Sequence, residues 1–285
     1  MSSLDVDRIL QSIKDLPAFP ATVQKVSELM SDDEYAMTDL VNAVEYDQAI
    51  TANVLRMCNS AYFGFPRKIS SLRQALSYLG RENIIRIVST ARISKYYRDV
   101  EGYRLKAEKL WEHSVGVALM SRILSEKIYG REEPWLFTTG LLHDIGKNVL
   151  GEFVNESFQK VMSLVSDEKY SFLEAEQEML GMNHAEVGGR IASLWRFPKE
   201  MIDTIIHHHR PDLMEEGDNT GAYLIYLADK VCMMMGIGGG GADDLAYRGL
   251  KGAMEKFKIH HRELEVSMIR LSDEIEKAKE LVKLL

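Results

Sequence analysis

The feature that most constrains this chain is the spacing of its apolar residues. They recur at steps of three and four with hardly any sustained alternation, a period that fits helices and not strands. Leu72, Ala75, Leu76 and Leu79 keep this register up to Gly80, and Asn83 is placed to cap a following helix carrying Ile84, Ile85, Ile87 and Val88. Glycine and proline cut the rest into segments of helical length, so the fold class is all-α with few strands. At 285 residues and 46% hydrophobic, the chain can bury an ordinary core.

Two breaks organise the chain. The polar stretch Arg98-Asp99-Val100-Glu101-Gly102-Tyr103-Arg104 is placed to divide it near residue 105, giving a helical lobe of residues 1–105 and a second of residues 106–285. The run Gly236-Ile237-Gly238-Gly239-Gly240-Gly241 is too costly for a helix and predicts a mobile loop. Beyond it Leu264, Met268, Leu271, Ile275, Ala278, Val282 and Leu285 form a heptad seam. Such a stripe is expected to close over its own domain, with pairing to another chain as the alternative.

Several function classes are disfavoured. The opening residues Met1 to Arg8 lack the basic and apolar stretches of a signal peptide, and Asp229 and Lys230 interrupt the most apolar stretch, so no membrane span and a cytoplasmic location are expected. A net charge of −8 argues against broad nucleic-acid binding, while leaving room for a local basic pocket. Only Cys58 and Cys232 are present, both in apolar contexts that fit reduced, buried thiols. A metal would therefore need histidine and carboxylate ligands.

Six of the eight histidines lie between His113 and His209. His143-Asp144 follows an apolar run and precedes Gly146, which suits a helix stop. Adjacent helical side chains diverge by about 100°, so this pair can grip one metal from two sides or bridge two. His113 opens an amphipathic helix. Asn183-His184-Ala185-Glu186 resembles a capping box, which fixes His184 in a first helical turn. His207, His208 and His209 occupy the last turn of a helix bounded by Pro198 and Pro211, and because neighbours point apart, not all three can bind together. Asp229 is a lone carboxylate in an apolar helix, for which a cation is a natural partner. Lys147, one turn past Asp144, can neutralise a phosphate if a pocket exists and is otherwise a surface lysine. This donor set suits iron, manganese, zinc, cobalt or nickel, and softness does not choose among them; iron or manganese is the first expectation.

The ordered series His113, His143-Asp144, His184, His208-His209 and Asp229 resembles the HD superfamily of metal-dependent phosphohydrolases, and most of all its HD-GYP class of cyclic di-GMP phosphodiesterases. In that class matching residues bind two or three metals. Lys109 replaces the upstream carboxylate of a three-metal site, so the resemblance implies two. The glycine-tyrosine-proline motif is absent after His209, where Arg210-Pro211-Asp212 stands. The stretches Leu16-Pro17-Ala18-Phe19-Pro20, Tyr46-Asp47, Leu55-Arg56-Met57-Cys58-Asn59-Ser60-Ala61-Tyr62-Phe63 and Ala75-Leu76-Ser77-Tyr78-Leu79-Gly80 are similar to the HDOD domain, from about Leu16 to about Pro211. This resemblance implies a bacterial signalling module with a protein partner, an HDOD bundle packed on an HD-type lobe, and a metal site that binds a nucleotide or phosphate. The alternative is an active phosphohydrolase or phosphodiesterase, in which Asp144 helps the metals activate water and Lys147 holds the phosphate.

Overall fold

The structure, a computed structural model, describes residues 3–16, 51–52, 54–55, 58–59, 68–167, 170–215, 217–238 and 249–282. Of the features above, residues 17–20, Tyr46-Asp47, Arg56-Met57, 60–63, 239–241 and Leu285 lie outside them. Among the described residues the fold is helical throughout, and the only extended pairing is an isolated antiparallel bridge between Val100 and Leu105. Among the described residues no helix is long and apolar enough to cross a membrane.

In chain order the helices are α1 (Ser3–Lys14), α2 (Leu72–Ile93), α3 (Ala107–Tyr129), α4 (Pro134–Leu142), α5 (Lys147–Asp167), α6 (Phe172–Leu180), α7 (His184–Leu194), α8 (Lys199–His207), α9 (Thr220–Met234), α10 (Leu250–Phe257) and α11 (His261–Val282). The centre of the fold is α3. It is buried almost continuously from Leu110 to Ser125, because α4, α9 and α11 pack around it. Burial on every side explains its weak amphipathicity, and α4 is apolar all round for the same reason. α7 pairs with α8, while α1 packs on both α5 and α7. Both described cysteines are buried and free.

One expectation changes, and one polar stretch packs more closely than its composition suggests. The break in α2 comes at Gly80, whose φ of 75° and ψ of 171° are open to glycine and strained for other residues. The helix resumes at once, so Asn83 sits inside it and does not cap it. Its Nδ2 instead donates to the Leu79 carbonyl across the kink at 2.7 Å. The stretch 98–104 is polar in sequence yet tightly packed, with Val100 and Gly102 buried and a short 3-10 turn, Glu101–Tyr103, laid against α5. The C-terminal seam behaves as expected of a closing helix: Leu264, Leu271 and Ile275 are buried and α11 lies on α3.

Candidate metal centre

Five separate elements deliver polar side chains to one interior point. α4 ends at Leu142, and the turn that follows drops His143 and Asp144 inward, with 0% and 1% exposure. This turn is pressed against the start of α7: a Cβ on Gly146 would lie 1.9 Å from the His184 carbonyl oxygen. Glycine is thus required there by close approach. α7 is capped by Asn183, which accepts from the Glu186 N–H at 3.0 Å. Glu186 does not complete the expected box; the reciprocal pair occurs one helix earlier, between Ser171 and Glu174. The Asn183 amide turns to Gln177 instead. In α8 the buried stripe Met201, Thr204 and Ile205 continues to His208, whereas His207 is half-buried and bonds to the Asp203 carbonyl.

Asp144 is the hub. Its Oδ2 lies 3.4 Å from His143 Nε2 and 3.9 Å from His113 Nε2, and its Oδ1 lies 3.4 Å from His184 Nε2 and 3.8 Å from His208 Nε2. Asp229, on α9, receives His113 Nε2 at 3.0 Å. His209 Nε2 stands 2.8 Å from His184 Nε2. The geometry thus forms two groups able to hold a metal ion, one of His113, His143 and Asp144, the other of Asp144, His184, His208 and His209, with Asp144 common to both. Lys147 reaches Asp144 Oδ2 at 2.6 Å and lines the cavity of about 80 Å³ above the cluster. All the residues singled out from the sequence converge here, and of the three consecutive histidines His207 stays outside.

The imidazoles are held ready to coordinate. His143 and His208 donate through Nδ1 to the carbonyls of Gly140 and Ile205, at 2.8 and 2.6 Å. Their Nε2 atoms therefore face the centre. Burial, reinforced by neighbouring His143, pushes His208 down to about 3, and burial with His208 and His184 pushes His209 well below its ordinary value, so both are neutral. Burial alone would raise Asp144, but Lys147 and the histidines outweigh it and hold the carboxyl well below the usual range. Asp229 is likewise kept ionised against burial by His113. Four buried atoms, His143 Nε2, His208 Nε2, Asp144 Oδ1 and Asp229 Oδ2, have no hydrogen-bond partner. Buried acceptors are seldom left so, and a cation would satisfy them together.

A match to the HDOD domain model covers residues 16–211, more than half of the chain. The chain belongs to the HDOD family. This HDOD protein superposes on an HDOD domain protein of unknown function from Geobacter sulfurreducens with a TM-score of 0.78 and 25% identity, covering 99% of this chain and 97% of the other. It shares its fold with a candidate phosphohydrolase from Shewanella amazonensis, at a TM-score of 0.71, 20% identity and 98% coverage of both chains. An uncharacterised Treponema pallidum protein is 22% identical over 211 residues, which are 73% of this chain and 40% of that protein. The HDOD protein thus spans well under two thirds of the curated relatives it matches.

Sequence reasoning missed two residues that shape the centre. Glu176 is fully buried, and its Oε2 accepts from both the backbone N–H and Nδ1 of His184, at 2.8 and 2.7 Å. One carboxylate thereby satisfies an orphan N–H of α7 and aims His184 Nε2 at Asp144. The Tyr103 hydroxyl donates to Glu176 Oε1 from the stretch first read as a divider. A signal existed for Glu176: among the acids of α6 it shares a stripe with Phe172, Met179 and Leu180.

Proposed function

We propose that this HDOD protein is a cytoplasmic signalling module whose interior holds two divalent metal ions and, through them, binds a phosphorylated ligand, with a partner protein reading the result. His113, His143 and Asp229 would hold one ion, His184, His208 and His209 the other, and Asp144 would lie between them. The observation that carries the reading is the set of buried, unpartnered acceptor atoms converging around Asp144. Imidazoles and ionised carboxylates without a thiolate suit iron, manganese, zinc, cobalt or nickel alike, with iron or manganese taken first. Such ions, when bound, polarise a phosphoryl oxygen and acidify a coordinated water. The residues of the chain supply the rest: Lys147 places a cation at the cavity, and Glu176 fixes the direction of His184.

The decisive measurement is elemental mass spectrometry on untagged, anaerobically purified protein beside the double variant His143→Ala, Asp144→Ala. About two equivalents in wild type and almost none in the variant are expected. Metal-free wild type with a normal fold would sink the reading.

One observation favours a second reading, turnover as a phosphohydrolase: Lys147 and Asp144 share the cavity with the histidines. In that case Asp144 orients the attacking water and Lys147 neutralises the phosphate. A nucleotide panel with added manganese or iron tests it, and hydrolysis undiminished in Asp144→Ala would discredit it.

A further inference from the structure

Helix α11 carries two stripes, and the fold covers one of them. Leu264, Leu271 and Ile275 rest on α3, and the charged residues beside that seam are paired across to it: Glu263 with Lys127, Arg270 with Glu126 and Glu274 with Arg122. On the other side, Arg262, Val266, Ile269 and Asp273 follow one another at steps of four, three and four, and all four are exposed. At about 100° per residue these steps keep the four side chains on one stripe, turned away from α3.

Single exposed apolar residues are ordinary on a protein surface. Here two are adjacent: Val266 and Ile269 are 61% and 66% exposed, the two most exposed large apolar residues among those described. Arg262 and Asp273 bracket them, and among the described residues neither makes an ion pair or a side-chain hydrogen bond. Three turns, about 16 Å, separate these two charges, so they cannot reach each other.

The stripe is self-complementary. It reads cation, apolar, apolar, anion, and the midpoint of Arg262 and Asp273 coincides with that of Val266 and Ile269, between Ser267 and Met268. A second copy of the helix, antiparallel across a twofold axis at that point, sets Val266 against Ile269 and Arg262 against Asp273, each contact made twice. A parallel copy would instead set Arg262 against Arg262 and Asp273 against Asp273, which is repulsive at both ends. The helix of an unrelated protein could cover the apolar pair, but it gives no reason for the stripe to match its own reverse.

We propose that this face joins two copies of the chain through antiparallel α11 helices. A single helix seam of this length lies at the low end of specific interfaces, so the dimer forms reversibly. None of the four residues belongs to the metal centre, and the pairing is independent of that reading.

The test is sedimentation equilibrium of the full chain between about 5 and 500 μM, comparing wild type, Arg262→Glu, Asp273→Arg and a one-to-one mixture of the two variants. Wild type is expected to rise from monomer toward dimer mass. Each variant alone brings like charges together at both ends and should weaken association by at least about tenfold. The mixture should recover it, because the two altered positions then face each other with opposite charge while the native Arg262 and Asp273 still meet at the other end. Ile269→Asp should also abolish association. These positions are exposed, so the variants keep their fold, which thermal melts verify. A wild type that stays monomeric throughout leaves the face to a different partner and overturns the proposal. So does undiminished association of the single variants, which would place the dimer on another surface, or a mixture no better than its components, which would refute the antiparallel register.

Discussion

Two charged clusters are buried along α3, and they differ in how completely the chain answers them. Around Arg122 the ion pairs close on themselves: its Nη1 donates to Glu126 and Glu132, its Nη2 donates to Glu274, and Arg86 and Arg270 take up Glu132 and Glu126. Only the Arg122 Nε lacks a partner. Around Asp144, imidazole lone pairs and carboxylate oxygens face one another, with one lysine as the nearby fixed cation. A closed network of this kind holds helices together, whereas an open one is complete only when something enters it.

The largest effect should separate the two outright. Asp144→Ala is expected to strip the protein of metal while Arg122→Met leaves metal content unchanged, both read by elemental mass spectrometry. Loss of metal in Arg122→Met would break the comparison. Next, Arg122→Met should cost about 2–3 kcal/mol of folding stability by urea denaturation, because three carboxylates lose their common partner. The figure sits below that of a fully buried pair, since the glutamates are 20–26% exposed. A third variant, Glu176→Gln, should loosen metal about tenfold in chelator competition without unfolding the protein. Tyr103→Phe should do the same more weakly.

A pH profile gives each cluster its own window. In metal-free protein His208 sits at about 3 against an ordinary 6.5. Between those values the unfolded chain takes up a proton that the folded chain refuses, so stability falls as pH drops from 6.5 toward 3. His143, raised by Asp144 despite burial, acts only above 6.5. Glu132 is held below 4.5 by Arg86 and Arg122 against burial, so the Arg122 network begins to lose stability only under that value. His209, lowered by burial as well, contributes in the same window, so His208→Gln should reduce the slope of the urea-midpoint profile between pH 6.5 and 4.5 without abolishing it, and leave the lower limb in place. An unchanged slope there would show that His208 does not carry it.

The helical class was legible because a period of three and four repeats from α2 to α11. The site was legible wherever a polar residue stood out from an apolar run, as with His143-Asp144 and Asp229. His208 could have been chosen over His207 by extending the stripe from Met201 through Ile205. Glu176 and Tyr103 were harder to find, since their roles depend on which helix lies opposite, and local sequence does not carry that. At 98–104 polarity does not reveal the packing: exposed Arg98 and Asp99 flank a backbone that needs Gly102 to approach α5, where a Cβ would lie 2.2 Å from the Gly151 carbonyl oxygen. Asn83 misled because Gly80 alone sets the kink.

The contact between Gly146 and the His184 carbonyl has a mechanical consequence. Because that single backbone abutment sets the spacing of Asp144 and His184, the two halves of the centre cannot drift apart separately; prying α7 from the turn would dismantle both at once. Since α1 rests on both α5 and α7, the two helices that flank this abutment also form the seat of the N-terminal helix.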